Sequence, residues 1–176
     1  PAALSADPLV ATAFVGLLQV LAVAGTYLFA ARYFGRPVAW AATALYCCNP
    51  WALHFGRKLW TPDLLPLFSL LFFAALFAAV VERRRWALTF ACLGFALLFF
   101  LHPQVLVYAP LLAGAAVVVW RRQGPRSLLL GAAGALLVAA PYLYYDSQLG
   151  FANLRSYFGA AGAPGAQWTR LCRTPG

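Results

Sequence analysis

Charge is what this sequence has least of. Of its 176 residues 10% are charged and only 4 are acidic, where a soluble domain carries roughly a quarter charged residues. So little charge cannot build a water-facing surface, which excludes an ordinary soluble globular domain. Methionine is absent altogether, the initiator included, so the chain is expected to be a fragment or processed form of a longer protein, cut at both ends. No signal peptide is visible: the first apolar block has no basic lead and no small-residue cleavage site after it. The four cysteines, Cys47, Cys48, Cys92 and Cys172, form neither a CxxC pair nor a Cys/His metal spacing. Three of them lie inside apolar blocks, where cysteine behaves as a small hydrophobe. No phosphate-cradling glycine loop is present, since Gly131-Ala132-Ala133-Gly134 lies within an apolar run and lacks a lysine. Nor does any serine, histidine and acid arrangement suggest hydrolysis.

What is there is apolar, 64% of the chain, and it comes in blocks. The blocks cover roughly residues 8–31, 37–53, 64–81, 86–101, 105–120 and 127–145. A helix apolar all round has no polar face to turn to water, so lipid or a large core must surround it. Too little polar chain remains to cover six blocks, and lipid is the better answer. A crossing takes about 20 residues, and the shorter blocks are expected to borrow flanking residues or to enter locally thinned membrane. The expected fold is all-α: a polytopic transmembrane helical bundle of about six membrane-spanning helices. It forms one incomplete domain over residues 1–176, with an outer-face tail at 146–176.

The net charge of +9 does not point to nucleic acid, because the arginines sit in short clusters between apolar blocks. Arg32 and Arg36 follow the first block, Arg83, Arg84 and Arg85 the third, and Arg121, Arg122 and Arg126 the fifth. These alternate connections are expected on the cytoplasmic side, residues 32–36, 82–85 and 121–126, by the bias of inner loops toward Lys and Arg. Both chain ends would then lie outside, and the bilayer is the first partner.

One outer connection breaks the charge rule. It reads Asn49-Pro50-Trp51-Ala52-Leu53-His54-Phe55-Gly56-Arg57-Lys58-Leu59-Trp60-Thr61-Pro62-Asp63. A cation pair at the membrane surface suits a lipid-linked phosphate, which is itself anchored at headgroup depth. Trp51 and Trp60 also read as an interfacial aromatic belt, beside which Arg57 and Lys58 would only snorkel. Asp63 reads either as a helix-start acid complementing the dipole or as an acid orienting a substrate, a cation or Arg57. His102, before Pro103, is a surface histidine at a helix end or a group beside the Arg57 loop. A divalent cation held by His54, His102 and Asp63 is conceivable, though the spacing does not ask for one. Tyr142, Tyr144, Tyr145 and Asp146 close the sixth block as interfacial anchors, with substrate contact the alternative.

The stretch 39–70, with Asn49-Pro50-Trp51, Gly56-Arg57-Lys58-Leu59-Trp60 and Pro62-Asp63-Leu64-Leu65, resembles the GT-C membrane glycosyltransferases. The nearest branch contains the protein O-mannosyltransferases and lipid A aminoarabinose transferases. Members commonly carry a proline-ended helix, an outer serine-arginine, and an acid opening the next helix; here Gly56 replaces the serine and Asp63 follows a proline. Leu101-His102-Pro103 resembles a histidine turn of bacterial members, and Pro141-Tyr142-Leu143 a later helix end. The resemblance covers most of residues 8–155, with 49–65 the specific part. It implies transfer of a sugar from a polyprenyl-phosphate carrier to a protein, lipid or glycan acceptor on the outer face of a bacterial plasma membrane. It also implies that the acid acting as general base belongs to a loop upstream of Pro1. No catalytic residue is then expected in this chain; Arg57 and Lys58 would lie near phosphate, with Asp63 in support and His102 nearby. Two rival classes stay open. A transporter or flippase would place ionisable groups at mid-helix, whereas the charges here cluster at block ends. A non-catalytic membrane subunit would not explain the Arg57-Lys58 pair.

Overall fold

A computed structural model describes residues 8–50, 52, 61–152 and 155. Among them the chain is all-α. Helix α1 spans Pro8–Tyr33 and α2 Arg36–Cys47; a 3-10 turn at Thr61–Leu64 leads into α3, Leu65–Val80. Helix α4 spans Ala87–Leu101, a second 3-10 segment covers Pro103–Tyr108, α5 runs Ala109–Gln123 and α6 Arg126–Gln148.

Glycine and proline set most of the breaks. Gly35, at φ 92°, turns α1 into α2, and Gly124, at φ 80°, turns α5 toward α6; both lie in the left-handed region that side chains resist. Arg36-Pro37 and Pro125-Arg126 follow, proline being at ease where a helix starts. Helix α2 was expected to reach residue 53 but ends at Cys47. Pro50 has no N–H to donate and disfavours helical backbone at Asn49, whose own N–H closes a tighter turn onto the Tyr46 carbonyl at 3.2 Å. His102 is extended, φ −159° and ψ 119°, the conformation favoured before a proline.

The expectation of six crossings is overturned by length. Among the described residues three helical segments are long and apolar enough to cross a membrane: Leu9–Tyr33 with 25 residues, Pro103–Gln123 with 21 and Arg126–Gln148 with 23. Helices α3 and α4 are apolar but only 16 and 15 residues long, about 24 and 22 Å at 1.5 Å per residue. Helix α2, at 12 residues, reaches about 18 Å. Each falls short of the roughly 30 Å of hydrocarbon. The three long helices make this an integral membrane protein, and their outward faces are apolar, with Val20 and Leu28 on α1 64% and 66% exposed.

The chain packs as two compact units, Pro1–Val138 and Ala139–Gly176, the boundary falling inside α6. In the first unit α3 and α4 form an antiparallel hairpin; α1 packs against α3 and pairs with α2. One core joins Phe72, Leu76, Ala91, Leu98, Val105 and Ala115; a second, nearer the arginines, joins Ala79, Ala87, Leu88, Cys92 and Val119. In the second unit α6 continues through Pro141 to Gln148. The Asp146 carbonyl there accepts from Phe151 N at 2.8 Å and Asp146 is fully buried, while Tyr144 and Tyr145 are exposed.

Close approach between helices α6 and α4 depends on glycine, as is usual where membrane helices pack. A Cβ on Gly131 would fall 2.8 Å from both Cβ and Sγ of Cys92, whereas one on Gly16 would meet nothing within 4 Å. Gly131→Val is therefore expected to destabilise the protein by about 1–3 kcal/mol, the usual cost of overpacking. Gly16→Val should cost little. Thermal unfolding of the two variants in one detergent compares them directly, and equal midpoints would contradict the packing described.

Candidate functional site

The 3-10 turn Thr61–Leu64 places Asp63 at the head of α3. The expectation of a first α-helical turn there is corrected by one detail: the α-helix itself begins at Leu65. Asp63 is only 4% exposed, which a surface dipole partner would not be. Its carbonyl accepts a hydrogen bond from Gln19 Nε2 at 2.9 Å, and Gln19 Oε1 accepts from the Tyr46 hydroxyl at 2.8 Å. Gln19 lies well inside α1, about 20 Å along the helix from Tyr33. Because α2 and α3 are short, the end of α2 and the head of α3 meet beside the middle of the longest apolar helix. A buried acid and two polar side chains are thus gathered beside an apolar helix, a setting in which polar groups are costly.

Sequence reading did not find Gln19 or Tyr46. The available signal was a lone glutamine in an otherwise apolar block, which hydropathy averages away. Arg57, Lys58 and His54 lie outside the described residues. His102 ends α4, which also contacts the Thr61–Leu64 turn. Its Nδ1 accepts from Gln104 N at 3.3 Å, so the imidazole caps the 3-10 segment that follows. At that segment's end, Tyr108 stacks on Phe72 at 5.8 Å and meets Phe73 edge-on at 5.1 Å. Among the described residues no three His, Cys, Asp or Glu side chains are grouped to hold a metal ion.

At the other end of the α3–α4 hairpin the structure gathers the arginines. The three arginine-bearing connections converge there: Arg32 Nε reaches Glu82 at 2.6 Å, Arg122 donates to the Val80 carbonyl at 3.2 Å, and Gln123 to the Arg83 carbonyl at 3.3 Å. Glu82 organises one side of this end, accepting also from the Tyr33 hydroxyl at 2.6 Å and from Arg84 Nε at 2.8 Å. The Arg32 and Tyr33 hydrogen bonds hold its carboxyl at about 2, well below the usual value of 4.5. A carboxylate with a depressed pKa stabilises the fold above its unfolded value and loses that contribution as pH falls through the folded one. The Glu82 contribution is therefore expected to be intact at pH 5 and to fade as pH falls from about 4.5 toward 2. Glu82→Gln should flatten that part of a thermal-stability profile, and an unchanged acid limb would refute the role given to Glu82.

The fold is thus that of a helical integral membrane protein with a buried acid at one end of its helix hairpin and an arginine face at the other. Residues 4–145 match the family described as dolichyl-phosphate-mannose-protein mannosyltransferase, and the chain belongs to that family. No curated protein and no solved structure matches it.

Proposed function

We propose that this chain carries the donor-binding part of a membrane glycosyltransferase, moving a sugar from a polyprenyl-phosphate carrier to an acceptor on the extracytoplasmic face. The observation that carries the reading is Asp63: a carboxylate 4% exposed, at the head of a short helix, held through its backbone to Gln19. Five and six residues before it stand Lys58 and Arg57, a cation pair suited to the phosphate of the carrier. In the transfer, the acceptor hydroxyl attacks the anomeric carbon as its proton is taken up by a base. The bond from that carbon to the carrier oxygen breaks, and the phosphate leaves with the electron pair. Arg57 and Lys58 stabilise the charge growing on the leaving phosphate, and Asp63 orients Arg57 or the acceptor. We assign none of these residues as the general base. Were a divalent cation used, Asp63 and His102 are the described residues that would offer it an oxygen and a nitrogen. The arginine end belongs on the cytoplasmic side by its charge.

The same geometry favours one second reading. A polar group beside the middle of a long apolar helix is also what a transporter of lipid-linked sugars would show. Proteoliposomes of the full-length protein separate the two. Supplied with radiolabelled polyprenyl-phosphate mannose and an acceptor peptide, a transferase moves label to the peptide and releases polyprenyl phosphate. Label that crosses the bilayer still attached to its carrier would replace the transferase reading with the transporter.

A further inference from the structure

The arginine end holds more than a topology signal. Between the α3–α4 connection and the α5–α6 hairpin lies a recess of about 500 Å³, lined by Arg85, Trp86, Arg122, Gln123, Arg126 and Ser127. Its three guanidinium groups come from three different elements: a loop, the last turn of α5 and the first turn of α6. None of the described carboxylates lines it, and Glu82, the nearest in sequence, is engaged by Arg32 and Arg84 instead. An ordinary solvated charge run spreads its charges apart. Here three converge on one cavity, with no described acid to balance them.

The walls are fixed. Arg122 is tied to the Val80 carbonyl, Gln123 to the Arg83 carbonyl, and the Arg126 guanidinium lies over the Trp86 ring at 6.0 Å. Arg85 and Trp86 also line a mostly apolar groove of about 660 Å³, together with Ala75, Ala78, Ala87, Phe90 and Arg84. Alanines on both α3 and α4 leave that groove open. A cationic recess and an apolar groove sharing one wall match an amphiphile with an anionic head and a hydrocarbon tail. Basic pockets between membrane helices hold anionic headgroups in this way, and guanidinium binds phosphate through paired donors.

We propose that this end of the protein binds one anionic phospholipid, its phosphate among Arg85, Arg122 and Arg126 and an acyl chain along Ala75, Ala78 and Phe90. The inference does not rest on the sugar-transfer reading, because the recess lies at the opposite end of the α3–α4 hairpin from Asp63.

Native mass spectrometry of the full-length protein in detergent tests it, with phosphatidylglycerol and phosphatidylcholine as probes. Phosphatidylglycerol should bind one molecule per chain at least tenfold more tightly than phosphatidylcholine. The double variant R122Q/R126Q should lose that preference, while R121Q, outside the recess, should stay within twofold of the parent. Should the glutamine variant fail to fold, R122K/R126K keeps both charges and is expected to bind severalfold more weakly, for want of the paired donors. Equal binding of the two lipids would overturn the proposal, as would full binding by R122K/R126K. An equal loss on R121Q would show diffuse charge instead of a site, and displacement by millimolar inorganic phosphate would show a free-anion site; either outcome also overturns it.

Discussion

Asp63→Asn in the full-length protein should lower sugar transfer tenfold to a hundredfold while membrane insertion and abundance stay normal. The substitution keeps the size and shape of a side chain that is 4% exposed and puts a neutral amide, with a donor group in place of one acceptor oxygen, where the acid stood. If Asp63 merely complemented the dipole of α3, the loss would be a few tenths of a kcal/mol in stability, with no effect on the reaction. A charge-assisted hydrogen bond to a cation or an acceptor is worth about 1.5–3 kcal/mol, which gives the range expected. Gln19→Leu should act in the same direction but less, since it removes a neutral hydrogen bond to the Asp63 carbonyl, worth about 0.5–1.5 kcal/mol. Transfer from a radiolabelled polyprenyl-phosphate sugar, in membranes carrying equal amounts of each variant, makes the comparison. Normal transfer by Asp63→Asn would reduce that residue to a structural role at the start of a helix.

Arg57→Ala is expected to cost at least as much. Residue 57 lies outside the described residues, and its expected role rests on the sequence around it. Among the outer connections identified there, only the one before α3 pairs two cations, Arg57 and Lys58. A phosphate ligand lost from that loop removes about 1.5–3 kcal/mol, tenfold to a hundredfold in rate or binding. A snorkelling arginine beside Trp51 and Trp60 would contribute little, and lysine would replace it without loss. Arg57→Lys thus separates the two roles: partial recovery marks a ligand that uses its two-pronged donor geometry, and full activity marks an anchor. Near-normal transfer by Arg57→Ala would remove the loop from the site.

The sequence exposed the helical class and several helix limits, because the signals were local. Pro8, the arginines after each odd block and the Pro103 turn put the limits of α1, α3 and α4 within about two residues. It misjudged the number of crossings for a physical reason. Hydropathy measures composition, and α3 and α4 are fully apolar yet 16 and 15 residues long. Helix α2 ends at Cys47 although the apolar block was carried on to residue 53, because hydropathy does not register the turn that precedes Pro50. At the candidate site, Asp63 was legible through its place after Thr61-Pro62. Gln19 was not, since its contact with Asp63 spans 44 positions and no local pattern encodes a pairing at that distance. The convergence of Arg85, Arg122 and Arg126 on one recess was hidden for the same reason, although each arginine was plain as a loop charge.

The central claim is that the lipid-linked donor binds at the Asp63 end of the α3–α4 hairpin. A polyprenyl phosphate carrying a photoactivatable group beside the phosphate tests it most directly, crosslinked to the full-length protein in membranes and located by peptide mass spectrometry. The account predicts labelling within residues 49–65, competed by unlabelled polyprenyl-phosphate sugar and weakened by Arg57→Ala. Labelling confined to the peptides that hold Arg85, Arg122 and Arg126, with none within 49–65, would contradict it.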